Sequence, residues 1–145
     1  MFRGSHIARV DEKGRLKVPA EFKRLLDEKY GATFFITSFD GERAEIFPMQ
    51  EWEKIEAEMA TRTSSPQKAK FLEVTNYYGQ VVEMDGQGRL LLPQNLRDKA
   101  GLAGDLAVMG LQTRLSAVND EQQVARLKAA PLTGDDFAAL AIPGV

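Results

Sequence analysis

Two stretches of the chain repeat one pattern of apolar and polar positions. Apolar residues alternate with polar ones on both sides of an Asp-x-x-Gly-Arg segment, and the pattern then stops at a proline. The first copy is VDEKGRLKVPAEFKR at 10–24 and the second is MDGQGRLLLPQNLRD at 84–98, an offset of 74 residues. Period-two alternation predicts strands, and Asp-x-x-Gly supplies a turn between them. Each copy therefore predicts a strand, a turn, a strand and a proline-started helix.

The repeat continues beyond these segments. RAEIFPMQEWEKI, which begins at Arg43, aligns with RLSAVNDEQQVAR, which begins at Arg114, although the second copy lacks the aromatic residues of the first. Trp52, Ile55 and Met59 are spaced for one face of a helix, and we interpret them as packing residues. We predict two α+β repeats at 1–62 and 77–130, a linker helix at 63–76 and a C-terminal tail at 131–145.

Composition narrows the class of protein. A chain of 145 residues that is 43% hydrophobic and 28% charged suits a small globular fold. No apolar stretch approaches the ~20 residues of a membrane helix, the MFRGSH start does not resemble a secretory signal, and cysteine is absent. We therefore expect a cytoplasmic protein without disulfides. One histidine and scattered acids offer no metal site or catalytic triad, so we predict no enzyme activity, metal or cofactor.

The duplicated unit resembles a known family of DNA-binding proteins. A strand, a D-x-x-x-R motif, an apolar-x-apolar-Pro segment and a Leu-Arg helix are similar to the AbrB-like swapped-hairpin unit. Two such units behind an MFRG start resemble the MraZ family over about the whole chain. The two motifs run from Asp11 to Arg15 and from Asp85 to Arg89, each with a proline four residues after the arginine.

This resemblance implies both a fold and a function. The implied fold is α+β and mainly β, a double-split β-barrel of two pseudo-repeats with flanking helices. The implied function is sequence-specific binding of double-stranded DNA in the promoter region of the protein's own gene. A nucleoid-associated, ring-like homo-oligomer would bind repeated promoter boxes there and regulate, as a repressor, a division and cell-wall gene cluster.

Charge distinguishes the two copies, although the net charge is only −2. Residues 1–24 contain seven basic and three acidic side chains. When the two copies are aligned at the offset of 74, four basic residues of the first copy correspond to neutral or acidic residues of the second. Arg3 aligns with Tyr77, Arg9 with Glu83, Lys13 with Gln87 and Lys17 with Leu91. Features shared by both copies are expected to serve the fold, so we interpret the first copy as the DNA-binding face.

Individual roles follow from side-chain chemistry. We predict DNA contacts from Arg15, Lys13, Arg3, Lys17 and Arg9. Lys13 and Lys17 suit phosphates, whereas Arg15 and Arg3 suit base edges, because a guanidinium can donate two parallel hydrogen bonds to guanine. The alternative for the lysines and arginines is an ordinary solvated surface. We assign motif or structural roles to Asp11, Gly14, Asp85, Gly88 and Arg89.

Two points remain open at the level of sequence. Arg15 could pair with Asp11 and hold the turn, or be oriented by Asp11 toward DNA, and these roles are compatible. The alternative function is a protein-binding module such as a toxin-neutralising antidote, because AbrB-like units also occur in that role. Such antidotes resemble one DNA-binding unit with a disordered acidic tail, whereas this chain carries a second copy and the short tail GDDFAALAIPGV.

Overall fold

Eight β-strands and six α-helices make up the fold. The computed structural model describes all 145 residues. The strands are β1 (Ser5–Val10), β2 (Arg15–Lys17), β3 (Thr33–Thr37), β4 (Ala44–Pro48), β5 (Gln80–Glu83), β6 (Arg89–Leu91), β7 (Gly104–Leu111) and β8 (Arg114–Asn119). The helices are α1 (Ala20–Lys29), α2 (Met49–Thr61), α3 (Pro66–Tyr77), α4 (Gln94–Ala100), α5 (Asp120–Ala129) and α6 (Gly134–Leu140).

The two repeats interlock in a single antiparallel sheet. Its strand order is β5-β3-β4-β8-β7-β1-β2-β6. The first strand of each repeat lies beside the third strand of the other, since β1 pairs with β7 and β5 pairs with β3. The pairs β4–β8 and β2–β6 join the repeats at their pseudo-two-fold axis. Each repeat therefore completes the sheet of the other.

The sheet is nearly closed into a barrel. Its edge strands, β5 and β6, are consecutive in the chain, and the backbone N–H of Asp85 donates to the carbonyl of Arg89 at 3.0 Å. The equivalent bond, from Asp11 to Arg15 at 2.9 Å, joins β1 and β2. The predicted fold class, a mainly β, double-split barrel with flanking helices, is confirmed.

The barrel interior follows the alternation in the sequence. Leu16 of β2 and Leu90 of β6 are fully buried, whereas their neighbours Lys17 and Leu91 are exposed. Because successive side chains of a strand point to opposite faces, the polar positions of these strands form an outer surface. The helices α1 and α4 each begin immediately after a proline, as the sequence predicts, and each buries an apolar face.

A second, smaller core lies under α2 in the first repeat. It consists of Phe35, Phe47 and Trp52, which we call the aromatic platform. The ring of Trp52 stacks on Phe35 with centroids 4.7 Å apart, and Phe71 of α3 also stacks on Trp52, with centroids 6.3 Å apart. Ile55 also packs here, and so α2 is a packing helix, in agreement with its sequence pattern.

The second repeat has no such platform. The register of β4 against β8 relates the two repeats by an offset of 71 residues, so that Glu45 faces its own counterpart Ser116. At this offset Val118 stands in place of Phe47, and Gln123 in place of Trp52. Ala107 stands in place of Phe35, because it pairs with Val118 in the same way as Phe35 pairs with Phe47. The side-chain Oε1 of Gln123 is buried without a hydrogen-bond partner.

The chain ends in a short helix that lies outside both cores. α6 is closed at its start by reciprocal hydrogen bonds between Thr133 and Asp136. Every residue from Leu127 to Val145 is exposed. None of the helices is both long enough and apolar enough to span a membrane.

Candidate nucleic-acid interface

The Asp11–Arg15 turn, which we call loop 1, is organised by one carboxylate. Oδ1 of Asp11 accepts hydrogen bonds from the backbone N–H groups of Lys13 at 3.0 Å and Arg15 at 2.8 Å. Oδ2 accepts from Nε of Arg15 at 2.8 Å. Gly14 has a φ of 85°, a conformation that costs other residues free energy. The sequence D-x-x-G-R therefore encodes the turn residue by residue.

The Asp85–Arg89 turn, loop 2, has the same construction. Oδ1 of Asp85 accepts from the N–H groups of Gln87 and Arg89, each at 2.9 Å, and Oδ2 accepts from Nε of Arg89 at 2.9 Å. Gly88 has a φ of 75°. Because the duplication preserves every one of these bonds, pairing of Asp with Arg belongs to the turn itself.

These hydrogen bonds lower the pKa of both aspartates. The largest cause is the backbone N–H of Arg15 for Asp11 and that of Arg89 for Asp85; the guanidinium groups add to it, while partial burial acts in the opposite direction. Both carboxylates are therefore ionised at neutral pH. Each arginine is held through its Nε, which leaves the two terminal nitrogens of its guanidinium fork for another acceptor.

Each loop packs against a helix of the other repeat. A side chain at Gly14 would collide with the guanidinium of Arg97 in α4, and one at Gly88 would contact the stem of Lys23 in α1. Arg97 is thereby placed beside loop 1, a contact that the sequence analysis missed. The sequence feature that could have indicated this contact is the offset of 74, which aligns Arg97 with Lys23 and so places a basic residue at this position in both repeats.

The outer face of the β2–β6 pair brings arginine and lysine together from both repeats. In the antiparallel register Arg15 lies opposite Leu91, and Lys17 lies opposite Arg89. All four side chains point away from the buried Leu16 and Leu90. Lys17 donates through Nζ to the carbonyl of Gln87, so it reaches loop 2 rather than loop 1. The candidate surface is therefore shared between the repeats.

The other predicted site residues lie at different distances from this face. Lys13 is exposed within loop 1. Arg9, on the outer side of β1 next to the turn, forms an exposed ion pair with Asp105, with 3.7 Å between Nε and Oδ1. An exposed pair of this kind contributes about 0–1 kcal/mol, so it leaves Arg9 free to exchange partners.

Arg3 lies at the opposite end of β1 from loop 1. Its neighbour Phe2 bonds to Gln112 in the turn between β7 and β8, at 2.7 Å from N to O. Since β1 has six residues and a strand rises about 3.3 Å per residue, the two ends are about 20 Å apart. Arg3 is therefore separate from the surface that carries Arg15.

No group of three or more histidine, cysteine or acidic side chains is arranged to hold a metal ion. The fold and the site together define the class of protein. It is a duplicated swapped-hairpin barrel, in which two equivalent loops each carry an outward-facing arginine.

Comparison with known proteins identifies the family. A family model described as "MraZ protein, putative antitoxin-like" matches residues 1–74 and 79–138. The chain is 56% identical over 142 residues to the transcriptional regulator MraZ of Acidobacterium capsulatum, with 97% of each chain covered. It is 48% identical over 147 residues to that of Koribacter versatilis, with both chains covered completely. The chain belongs to the MraZ family, and the names of these relatives support a role as a transcriptional regulator.

Proposed function

We propose that this protein regulates transcription by binding DNA sequence-specifically through loop 1 and the outer face of β2–β6. The observation that carries this proposal is the shared outward direction of Arg15, Lys17 and Arg89, with Lys13 beside them in loop 1. Positive charge on the outer face of a hydrogen-bonded strand pair suits the phosphate backbone of a duplex. The major groove of DNA is also wide enough to admit a pair of β-strands.

Arg15 is the principal candidate for reading a base. Its Nε is engaged by Asp11 at 2.8 Å, so the guanidinium is oriented before DNA arrives and loses less freedom on binding. The free pair of nitrogens can then donate to O6 and N7 of a guanine. Lys13 and Lys17 serve phosphates, which position the protein without reading sequence. Arg9 and Arg3 add outlying contacts, Arg3 about 20 Å away along β1.

Several copies of the surface are needed for tight binding. One loop and one strand pair supply few contacts, whereas linked sites can gain ~10²–10⁴ in avidity. We therefore infer that the protein acts as a ring-like homo-oligomer on repeated promoter boxes. Its family resemblance supports repression of a division and cell-wall gene cluster that includes its own gene as the biological outcome.

Fluorescence anisotropy on labelled DNA from upstream of the gene tests this proposal. The wild-type protein should bind specifically, with an affinity that falls as salt rises. Lys13→Ala should reduce the salt dependence by about one ion and weaken all sequences alike, whereas Arg15→Ala should also reduce the preference for the specific site. Lys128→Ala, which removes an exposed lysine of α5, is the matched control. Equal binding of specific and scrambled DNA by the wild type would contradict the proposal.

A second candidate function is that of a protein-binding antidote. It is favoured by the word "antitoxin-like" in the description of the family model. A pull-down from the host lysate distinguishes the two functions. A stoichiometric protein partner together with no specific DNA binding would favour the antidote, and the reverse result would favour the regulator.

A further inference from the structure

The C-terminal segment has apolar side chains with nothing to cover them. From Leu132 onward every residue is exposed, and the large apolar ones retain 40% or more of their accessible surface: Leu132, Phe137, Leu140, Ile142 and Val145. The segment is nevertheless ordered into α6, which has only seven residues. A helix this short is marginal in water and is normally stabilised by packing of its apolar face. The segment therefore needs another surface against which its apolar side chains can pack.

An uncovered apolar groove lies in the first repeat. It runs between α3 and the turn after β3, has a volume of about 340 Å³, and is lined by Phe39, Phe71, Val74 and Thr75, with Gln67 and Lys70 at its rim. Its wall is fixed in place because the guanidinium of Arg114 lies 5.6 Å from the ring centroid of Phe39. Arg114 is in turn paired with the buried Glu45 at 3.3 Å. The groove is thus formed in the single chain.

Comparison of the repeats connects this groove with α6. α3 and α6 follow the last helix of their repeats, and both begin at a side-chain cap, Ser65 and Thr133. α3 packs its Phe71 on Trp52 of the aromatic platform. In the second repeat the position of Trp52 is taken by Gln123, so α6 has no equivalent surface to pack on. The only aromatic platform of the chain is the one beside the groove.

The charges of the two surfaces are opposite. The first turn of α6 carries Asp135 and Asp136, and no basic residue follows Lys128. The rim of the groove carries Lys70, and the adjoining hollow is lined by Arg62 and Lys68. Complementary charge at the rim of an apolar contact fixes its orientation and discourages other partners. The acidic start of α6 would therefore lie at the lysine side of the groove.

We propose that the segment 132–142 of one copy packs into the Phe39–Phe71 groove of a second copy. In the single chain the segment is uncovered and the groove is open, so the two surfaces meet between copies. Phe137 enters the groove beside Val74, and Asp135 and Asp136 face Lys70. This contact joins the second repeat of one subunit to the first repeat of the next. Such a head-to-tail interface generates a ring or a filament.

The proposal supplies an interface for the oligomer in the proposed function, on which it rests, but it does not involve loop 1. Failures of the two proposals can therefore be told apart. Arg15→Ala is expected to weaken specific DNA binding about 10- to 100-fold and leave self-association unchanged. Deletion of 132–145 should weaken self-association about tenfold or more, measured by sedimentation without DNA, since a central aromatic anchor is lost.

Cysteine cross-linking tests the contact directly, because the chain has no cysteine of its own. Val74→Cys is introduced in one preparation and Ala138→Cys, next to Phe137 in α6, in another, and the two are mixed and oxidised. A covalent heterodimer on a non-reducing gel is the expected result. Glu56→Cys, on an exposed position of α2, replaces Val74→Cys as the control.

Two results would overturn the proposal. The first is a heterodimer yield no greater than that of the Glu56→Cys control. The second is rapid cross-linking within one chain that carries both Val74→Cys and Ala138→Cys, at a dilution at which no dimer forms, because the segment would then occupy its own groove. A charge exchange provides an independent readout: Lys70→Glu should weaken self-association, and Asp135→Lys together with Asp136→Lys should restore it.

Discussion

The two repeats keep the same loop and differ in what surrounds it. Loops 1 and 2 form the same three hydrogen bonds to an aspartate, with lengths that agree within 0.1 Å. Around loop 1 lie Lys13 and Arg97, whereas loop 2 has Gln87 in place of Lys13. Lys23, beside loop 2, is paired with Asp27 at 2.7 Å. Duplication has therefore conserved the geometry of the turn, while the cations beside it differ between the repeats.

The packing layers of the repeats differ in the same way. The first repeat has an aromatic platform and a docked helix, α3, whereas the second has smaller and polar residues and an uncovered α6. The comparison teaches that the fold requires the interlocked strands and the turns from both repeats. The aromatic platform and the lysine at position 13 of loop 1 are each present in only one repeat, so the fold does not require them in both.

The largest expected effect is at the aromatic platform. Trp52→Ala should lower the free energy of unfolding by about 3–5 kcal/mol, because it leaves a cavity beside Phe35 and Phe71. Gln123→Ala, at the equivalent position of the second repeat, should cost far less. Urea unfolding followed by circular dichroism measures both. Equal losses would mean that the two packing layers are equivalent, contrary to the comparison.

The turns should respond alike, since they are the part that is common to the repeats. Gly14→Ala and Gly88→Ala should each lower the free energy of unfolding by about 1–2 kcal/mol, because alanine is strained at positive φ. The new methyl groups would meet the side chains of Arg97 and Lys23, which are flexible and can move aside. Gly86→Ala, in loop 2 but at ordinary φ and with open space around it, is the matched control and should change little. A large difference between the first two variants would break the equivalence of the loops.

A substitution at Gln123, in the second repeat, is expected to stabilise the protein rather than destabilise it. Gln123→Leu should raise the free energy of unfolding by about 1 kcal/mol, because it removes a buried oxygen that has no hydrogen-bond partner and adds apolar contact. The same urea measurement applies. A destabilised variant would show that the weak contact from Nε2 of Gln123 to Sδ of Met109, at 3.7 Å, contributes to the core.

The smallest expected effect is the response of the loops to acid. Both aspartates have a lowered pKa, so their ionised forms stabilise the folded state above pH ~4 and this contribution is lost as the pH falls through the folded-state pKa. Asp11→Asn and Asp85→Asn should therefore each be less stable than wild type at pH 7, and the difference should shrink in acid. Thermal unfolding between pH 7 and pH 3 checks this, and a difference that grows in acid would contradict it.

Local chemistry explains how much of the fold could be predicted. The turns and the strands around them were predictable because Asp, Gly and period-two alternation act within a few residues. The exchange of partners between repeats was not, since the pairing of β1 with β7 depends on contacts about 100 residues apart in sequence, which no local pattern contains.

The same distinction applies to the candidate site. Alternation correctly predicted that Arg15 and Lys17 share the outer side of β2. It could not predict that Lys17 lies beside loop 2. Arg97 reaches loop 1 from the other repeat, so its position depends on how the barrel closes.

The most direct test of the account compares Arg15→Ala with Arg89→Ala in binding to the DNA upstream of the gene. Each variant loses an equivalent Arg–Asp bond in its own loop. A difference in DNA affinity between the two variants therefore does not come from damage to the turn. Anisotropy at matched salt should give about a 10- to 100-fold loss of affinity for Arg15→Ala and a loss below about fivefold for Arg89→Ala. Equal losses, or the larger loss at Arg89, would contradict the assignment of DNA reading to loop 1.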